Sequence, residues 1–334
     1  MKVYELPQNF EHWVQPHLSS TGFRLSDSKR LAEVILQLSD LYQEKSSVTP
    51  WKTRETQAAY FTYFFPLNYI RFLKVLDEIK KLRFLDSIDT LIDFGCGPGP
   101  GSKALLNSDI PLKKVLGVDS AQEVRTAYMD TARSHTELGF QFQIPPIEQK
   151  TAVLASYTLN ELSGLPESFL KADALIILEP STQQAAESFQ QVRSQLIENS
   201  FYLWAPCPHQ TTCPLTQSKR DWCHDRVHWK KPEWFEKIEK HLPMKNETLT
   251  FTYLLAKKSQ PPEKEAWRIV GDALVEKGKT RWMLCRSKER EFLSFLHRYG
   301  EAPNIHRGDL VYLNNFEKKG NELRFQKEDL KPID

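Results

Sequence analysis

The sequence has no long hydrophobic run. A membrane-spanning helix needs roughly 20 consecutive apolar residues, and the longest apolar stretches here, such as residues 175–178, have the length of a strand. Residues 1–13 lack the apolar core of a secretory signal and also the Arg-rich, acid-poor character of a transit peptide. We therefore expect a globular, cytoplasmic protein with no membrane partner. A monomer is a separate expectation, which these features do not determine.

Cysteine is scarce, and its spacing matches none of the common metal-binding motifs. The chain has five cysteines in 334 residues. It contains no Cys-x-x-Cys pair of a zinc ribbon and no run of cysteines like that of a ferredoxin. The tight Cys-x3-Cys-x2-Cys loop that leaves one iron open for radical chemistry is also missing. No internal repeat stands out.

A large excess of one charge is absent, because 45 Lys and Arg against 43 Asp and Glu leave a net charge of +2. The distribution is uneven, since residues 219–290 hold 18 Lys or Arg and only 11 Asp or Glu. A basic segment with aromatic side chains is able to bind an RNA backbone through charge and RNA bases through stacking. A solvated basic surface over buried tryptophans explains the composition equally well. The tryptophans of this segment are Trp222, Trp229, Trp234, Trp267 and Trp282.

The spacing of apolar residues divides the chain into segments. With 40% hydrophobic and 11% aromatic residues, the chain can form a large core and a smaller second one. Residues 25–85 show helical spacing and predict an N-terminal helical region. From residue 89 onwards, short apolar runs alternate with helical stretches, which is typical of a parallel, doubly wound α/β sheet. The predicted strands are 91–94, 115–118, 152–155, 174–178 and 201–205, and the clearest helices are 121–133 and 183–199.

The pattern changes again near residue 245, where helical spacing fades. Short strand-like pieces then predict a small β-rich C-terminal unit. These pieces are residues 249–255, 267–270, 281–285 and 309–313. The predicted domains are therefore an N-terminal helical region at 1–86, a Rossmann-like domain with a cysteine-rich loop at 87–245, and a β-rich unit at 246–334.

A glycine-rich loop follows the first predicted strand. Residues 91–101 read Leu-Ile-Asp-Phe-Gly-Cys-Gly-Pro-Gly-Pro-Gly, so the strand ends near an acid and opens into glycines. Gly95, Gly97 and Gly99 allow positive φ and let backbone amides approach a ligand where a Cβ would collide. The loop therefore predicts a cofactor site.

Two acids favour S-adenosylmethionine as that cofactor. Asp93 is placed to bind an ammonium group directly or through water, and Asp119, after the next strand, is placed at the ribose hydroxyls. A dinucleotide is the closest rival, but an acid immediately before the loop would repel a pyrophosphate. Cys96 is interpreted as a packing or pocket residue. The predicted cofactor-binding residues are Asp93, Gly95, Cys96, Gly97, Gly99, Asp119, Ser120 and Ser156.

Four further cysteines predict a metal site. In a cytoplasmic protein, such thiols are better explained by a metal than by disulfides. Their spacing does not identify the metal, and three nearby histidines keep zinc open. Buried cysteines without a ligand are the alternative. The cysteines are Cys207, Cys213, Cys223 and Cys285, and the histidines are His209, His224 and His228.

Several of these segments together resemble the methyltransferase-like family of the mitochondrial small ribosomal subunit and its bacterial counterparts. The resemblance covers about residues 50–315, and the cysteine block is its most specific part. The segments are 93–101, Ala-Ser-Tyr-Thr-Leu-Asn-Glu-Leu at 155–162, Glu179-Pro180, Ala-Pro-Cys-Pro-His at 205–209, Cys213-Pro214 and Asp-Trp-Cys-His at 221–224.

The resemblance implies a cofactor, a cluster and a partner. Members of that family are associated with assembly of the small ribosomal subunit, and the mitochondrial ones resemble carriers of a four-iron, four-sulfur cluster on four cysteines. Matching that pattern implies cluster ligation by Cys207, Cys213, Cys223 and Cys285, with zinc as the second choice. The implied partner is the rRNA of the small ribosomal subunit.

The sequence assigns no catalytic residue. Where amino-directed nucleic-acid methyltransferases present Asn or Asp, two prolines and an aromatic, this chain reads Ser-Tyr-Thr-Leu-Asn-Glu-Leu at 156–162. Asn160 and Glu161 fit base orientation or general-base catalysis, and equally a helix cap or the edge of a cofactor site. A cysteine nucleophile at Cys207 or Cys213 conflicts with cluster ligation.

The sequence therefore predicts an S-adenosylmethionine-binding, iron-sulfur factor that acts on the small ribosomal subunit through rRNA binding or assembly. Methylation of rRNA stays open at this point. The alternatives are a small-molecule methyltransferase and a zinc-containing rRNA methyltransferase without an assembly role.

Overall fold

The computed structural model describes residues 2–43, 48–130, 136–162, 164–218, 221–263 and 265–333, apart from the side chains of Asn160 and Gln217. The chain divides into two compact units. The glycine-loop unit comprises Lys2–Leu178 and Val227–Leu249, and the cysteine unit comprises Glu179–Arg226 and residues 250–333. The predicted boundaries at 86/87 and 245/246 stay a prediction.

The N-terminal helical region of the glycine-loop unit is confirmed. Thr53 caps the third helix by accepting a hydrogen bond from the Thr56 amide at 3.3 Å. The aromatic run of this region packs into the core, where Tyr63 stacks on Phe235 with ring centroids 5.5 Å apart. The elements are α1 (Phe10–Ser20), α2 (Ser28–Gln43), α3 (Arg54–Ala59), a π-helical turn (Tyr60–Phe64) and α4 (Phe65–Lys81).

Five parallel strands of the same unit form a Rossmann-like sheet. Their order is β6-β5-β2-β3-β4. After β2 the chain adds β3 and β4 on one side of β2 and then β5 and β6 on its other side, so the order of the strands reverses between β2 and β5. Ligands of such sheets bind at the carboxyl ends of the strands beside this reversal. The strands are β2 (Thr90–Phe94), β3 (Lys114–Val118), β4 (Glu137–Gln141), β5 (Thr151–Ser156) and β6 (Ala174–Glu179).

The remaining elements of this unit are short. The predicted helix at 121–133 is present as a 3-10 turn (Gln122–Val124) followed by α6 (Arg125–Met129), and part of its predicted end lies outside the described residues. The others are β1 (Val3–Glu5), which pairs with β8 (Asp225–Lys230), together with α5 (Pro100–Leu106), α8 (Glu233–Glu239) and 3-10 turns at Leu159–Glu161 and Glu167–Lys171. None of the helices that the structure describes is long and apolar enough to cross a membrane.

The cysteine unit begins with a helix and an antiparallel strand pair. Thr182 caps α7 (Gln183–Glu198) by accepting from the Ala185 amide at 3.2 Å. Strand β7 (Tyr202–Ala205) pairs with β9 (Thr248–Lys257), and a 3-10 turn (Pro214–Gln217) lies in the loop after β7.

The rest of the cysteine unit is β-rich, as predicted. Alternate residues of β12 are buried, which places Trp282 and Leu284 in the core and Cys285 on the opposite face. The sheet order is β15-β16-β13-β12-β10-β14-β17, with β11 paired to β12. The strands are β10 (Trp267–Ile269), β11 (Leu274–Glu276), β12 (Lys279–Cys285), β13 (Glu291–Leu296), β14 (Leu310–Leu313), β15 (Glu317–Lys319), β16 (Glu322–Phe325) and β17 (Leu330–Ile333), with 3-10 turns at His297–Tyr299 and Lys327–Asp329.

Candidate functional site

The glycine-rich loop lies at the carboxyl end of β2, beside the reversal of the sheet. Gly95, Gly97 and Gly99 have φ of 64°, 51° and 80°, values that favour glycine. A Cβ on Gly95 would lie 2.6 Å from Thr158 Oγ1, and one on Gly99 would lie 2.7 Å from Tyr128 Cδ2. Glycine is therefore required at positions 95 and 99 for two reasons. The backbone has a positive φ, and neighbouring side chains leave no room for a Cβ.

Asp93 lies beneath this loop and is only 2% exposed. Its Oδ2 accepts a hydrogen bond from Ser102 Oγ at 2.6 Å, and that hydroxyl lies 3.0 Å from the Tyr128 hydroxyl. Burial raises the pKa of Asp93 to about 7, and the charge of Asp119 adds to the rise while Ser102 opposes it. A cationic group bound nearby would favour the ionised carboxylate.

Asp119 ties the loop to the end of β3. Its two oxygens accept hydrogen bonds from the amides of Gly97, at 2.8 Å, and Ala121, at 2.9 Å. Burial raises the pKa of this carboxyl, and the two amides oppose that rise. A carboxylate oxygen can accept more than one hydrogen bond, so both oxygens retain capacity for ligand hydroxyls.

The other three predicted cofactor residues differ in their surroundings. Cys96 is buried, and burial raises the pKa of its thiol well above the usual value, so the thiol stays neutral. Ser156 ends β5 and is half-buried, whereas Ser120 is exposed. Cys96 therefore packs within the loop, and the two serines flank it.

Two aromatic residues next to this loop were not assigned to it from the sequence. A Cβ on Gly97 would lie 3.3 Å from Trp51 Cζ2 and 3.8 Å from the Tyr60 hydroxyl. Trp51 and Tyr60 pack edge to face with ring centroids 4.7 Å apart. Tyr60 begins the π-helical turn, a feature that often marks a functional site. The N-terminal region therefore contributes a wall of the loop.

The segment after β5 places an acid near the loop. Glu161 ends the 3-10 turn Leu159–Glu161. Desolvation raises the pKa of its carboxyl to about 7, and the charge of Asp119 adds to the rise. The side chain of Asn160, its predicted companion, lies outside what the structure describes.

The four other cysteines line one cavity of the cysteine unit. Cys207 and Cys213 belong to the loop after β7, Cys223 precedes β8, and Cys285 ends β12. Gln210 fixes the base of the loop, because its amide bonds both the N–H of Leu203, at 2.8 Å, and the carbonyl of Leu203, at 2.9 Å. Segments distant in sequence thus contribute thiols to the same space.

The thiols of the cavity influence each other electrostatically. Desolvation raises the pKa of Cys223 to about 12, with further contributions from Cys207 and Cys213. Desolvation likewise raises the pKa of Cys285, and the other three cysteines add to that rise. Several thiolates in this space would repel one another, so a positively charged centre would be needed to keep them ionised.

The histidines do not complete a site for one metal ion. His209 Nε2 lies 3.4 Å from Cys285 Sγ, and burial together with the charge of Arg193 lowers the pKa of His209 to about 4. His224 follows Cys223, whereas His228 belongs to the glycine-loop unit. Within the described part of the chain, no three His, Cys, Asp or Glu side chains are arranged to hold a single metal ion.

The basic segment 219–290 is divided between the two units, and many of its charges are paired. Trp229, Trp234 and Trp282 are buried, so they are not available for stacking on bases. These positions favour the interpretation of a basic surface over buried tryptophans. Ion pairs include Lys231 with Glu239 and Glu247, Arg226 with Asp272, Arg268 with Asp225, and Arg286 with Glu291.

Solved structures with some likeness to this chain include methyltransferases. The plantazolicin methyltransferase BpumL in complex with SAH is 11% identical, with a TM-score of 0.39, and the match covers 68% of this chain and 100% of that one. A precorrin-6y C5,15-methyltransferase from Geobacter metallireducens is 12% identical, with a TM-score of 0.33, over 53% of this chain and 85% of that one. No individually curated protein matches the sequence.

A family model gives a match over most of the chain. The order of the parallel strands and the acid-flanked glycine loop make the fold α/β, with a Rossmann-like sheet of the class I methyltransferase type. The model described as "Mitochondrial small ribosomal subunit Rsm22" matches residues 54–301. The chain therefore belongs to the Rsm22 family.

Proposed function

We propose that this protein is an S-adenosylmethionine-binding, iron-sulfur factor of the small ribosomal subunit that binds rRNA during subunit assembly. The observation that carries the proposal is the convergence of four thiols on one cavity. Membership of the Rsm22 family, whose description names the mitochondrial small ribosomal subunit, supports the choice of partner.

We favour a four-iron, four-sulfur cluster over zinc as the ligand of this cavity. Zinc would require its ligand atoms within about 2.3 Å of one ion, and the described residues contain no such group. In a four-iron cluster each thiolate binds a different iron, so the sulfurs stand farther apart. The ligands are Cys207, Cys213, Cys223 and Cys285.

The role of the cluster in this proposal is structural. Bonds from iron to the four thiolates would connect the loop after β7 with the end of β12, both within the cysteine unit. Binding of such a centre contributes to folding free energy, because the unfolded chain has no assembled site. Loss of the centre would therefore loosen the β-rich part of this unit.

The glycine loop fits the methyl donor through its acids. Asp93 would accept the ammonium of the amino-acid part, which would favour ionisation of its buried carboxyl. Asp119 would accept the ribose hydroxyls with the lone pairs that the loop amides leave free. Trp51 and Tyr60 would shield the bound cofactor from water. The remaining proposed contacts are Gly95, Cys96, Gly97, Gly99, Ser120 and Ser156.

Anaerobic purification with metal and sulfide analysis tests the cluster. We expect about four iron atoms and four sulfides per chain, a broad visible absorption that dithionite bleaches, and little zinc. One zinc per chain without sulfide would mean that the site binds zinc and not the cluster. The absence of both iron and zinc would overturn the metal site. Calorimetric titration with S-adenosylmethionine tests the loop separately, with Asp119→Asn as the variant that should bind more weakly.

Cosedimentation with small ribosomal subunits tests the partner. We expect binding that weakens steeply with salt, because contacts to phosphates release counterions. Failure to bind subunits or their rRNA at low salt would overturn this part of the proposal and favour a small-molecule methyltransferase.

Methyl transfer to rRNA is a second candidate function. The observation that favours it is the position of Glu161, whose amide donates to the Thr158 carbonyl at 3.1 Å while Thr158 Oγ1 donates to the Phe94 carbonyl at 3.1 Å. This exposed acid thus lies beside the loop, and its raised pKa suits proton transfer. Transfer of labelled methyl groups to small-subunit rRNA, lost in Glu161→Gln, would establish it. Tight subunit binding without transfer would leave the cofactor with a non-catalytic role.

A further inference from the structure

One face of helix α7 is directed at the cysteine cavity. Gln190 Nε2 donates to Cys213 Sγ at 3.4 Å, and Arg193 Nε donates to Cys207 Sγ at 3.5 Å. Residues three apart on a helix lie on the same side, so the two donors approach the cavity together. The helix therefore directs two N–H groups at two different thiols.

Arg193 is a buried cation that pairs with sulfur and backbone rather than with a carboxylate. Arg193 is only 2% exposed. Its guanidinium also donates hydrogen bonds to the backbone carbonyls of His209, at 3.1 Å, and Thr211, at 2.7 Å. Among the described residues, its hydrogen-bond partners are one sulfur and two backbone carbonyls, and none of these partners is a carboxylate. A buried charge is costly unless an opposite charge lies nearby. The geometry calls for an anion in the cavity.

His209 supplies a third donor from the cysteine loop. Its Nδ1 lies 2.8 Å from Thr211 Oγ1, and its Nε2 lies 3.4 Å from Cys285 Sγ. If the threonine hydroxyl donates to Nδ1, the proton of the neutral ring lies on Nε2 and points at the sulfur. Three of the four cysteine sulfurs thus have a side-chain nitrogen within hydrogen-bond distance.

We propose that Gln190, Arg193 and His209 are positioning residues that raise the reduction potential of the cluster. This inference rests on the proposed iron-sulfur centre. Hydrogen bonds to cluster sulfurs and positive charge beside them stabilise the more negative, reduced state, so they shift the potential upwards. Arg193 has the largest effect, because it contributes both a hydrogen bond and a charge.

The experiment measures iron, sulfide and the midpoint potential of the full-length protein, purified without oxygen. The variants are Arg193→Gln, Arg193→Lys, Gln190→Met and Gln190→Glu. Gln191→Met is the matched control, since Gln191 is the same residue type on the same helix but exposed. Potentials are determined by redox titration monitored by electron paramagnetic resonance.

We expect the Arg193 and Gln190 variants to contain full iron and sulfide and to have lower midpoint potentials than the wild type. Arg193→Gln shifts the potential further down than Arg193→Lys, Gln190→Glu shifts it further down than Gln190→Met, and Gln191→Met leaves it unchanged. A full cluster with the wild-type potential in all variants overturns the inference while the cluster itself stands. Should Arg193→Gln lose its iron, equal potentials in Gln190→Met, Gln190→Glu and the wild type overturn it. A wild-type protein without iron and sulfide removes the proposed centre, and with it this inference.

Discussion

The glycine loop and the cysteine cavity are built in different ways. The loop is made by consecutive residues, and its shape follows from three glycines with positive φ and from amides that bond Asp119. The cavity is assembled from α7, the loop after β7 and the end of β12, and β12 lies far from the other two segments in sequence. From this difference we expect the two sites to respond differently to the loss of their proposed ligands.

The loop is held by its own backbone hydrogen bonds, so its geometry does not require the cofactor. The amides of Gly95 and Cys96 donate to the Val118 carbonyl at 2.7 and 3.2 Å. In the cavity, by contrast, burial raises the pKa of Cys223 and Cys285, so these thiols would ionise only beside a cationic centre. The buried guanidinium of Arg193 in turn needs an anion nearby. The cavity should therefore depend on its ligand far more than the loop does.

The largest expected effect is the loss of a proposed cluster ligand. In Cys285→Ser, iron and sulfide per chain should fall by more than about tenfold, because ligand loss exceeds the 10–100-fold cost typical of changes around a metal site. The thermal midpoint of the cysteine unit should fall as well. Cys96→Ser is the control, since this fifth cysteine lies in the glycine loop and should leave iron unchanged. Full iron in Cys285→Ser would remove Cys285 from the ligand set.

A substitution in the glycine loop should destabilise the protein without changing its iron content. Gly99→Ala should lower the free energy of unfolding by about 2–4 kcal/mol, because positive φ is costly for alanine and the new Cβ meets the Tyr128 ring. Gly22→Ala is the matched control. Gly22 has a φ of +82° with nothing within 4 Å of the added Cβ, so only about 1 kcal/mol is expected. Equal losses in urea unfolding would show that the contact with Tyr128 does not matter.

The buried carboxyl of Asp93 should make stability depend on pH. Its pKa is raised from 3.8 to about 7, so the folded protein binds this proton more tightly than the unfolded chain. Its contribution to stability is therefore present in acid and is lost as pH rises from about 4 through about 7. Asp93→Asn should gain stability relative to the wild type over that range. A pH-independent difference between the two unfolding curves would contradict this assignment.

The smallest expected effects come from helix caps, which are local in both units. Thr182→Ala, at the start of α7, and Thr53→Ala, at the start of α3, should each cost about 1 kcal/mol, because each removes one hydrogen bond to a helix amide. Iron content should not change in either variant. Loss of the cluster in Thr182→Ala but not in Thr53→Ala would show that the cavity depends on the start of α7 more closely than its contacts indicate.

The metal site depends on residues that the sequence pattern indicates and on others that it does not. The four cysteines predicted a metal site, but their spacing did not identify the metal, and only the family resemblance implied a four-iron, four-sulfur cluster. Nothing in the sequence indicated that Gln190 and Arg193 would face these thiols. Both residues belong to an ordinary helical pattern, and only the packing of α7 decides which residues its inner face meets.

The sequence by itself determined the parallel strands, the loop of glycines with its two acids, and the β-rich end of the chain. These features depend on strand alternation, helical spacing and backbone φ, which act over a few residues. Only the tertiary structure decided that Trp51 and Tyr60 wall the glycine loop, and that the distant Cys285 meets the three thiols of residues 207–223 beside a buried arginine. Such contacts depend on how whole segments pack, and short-range patterns contain no information on the position of a partner far along the chain.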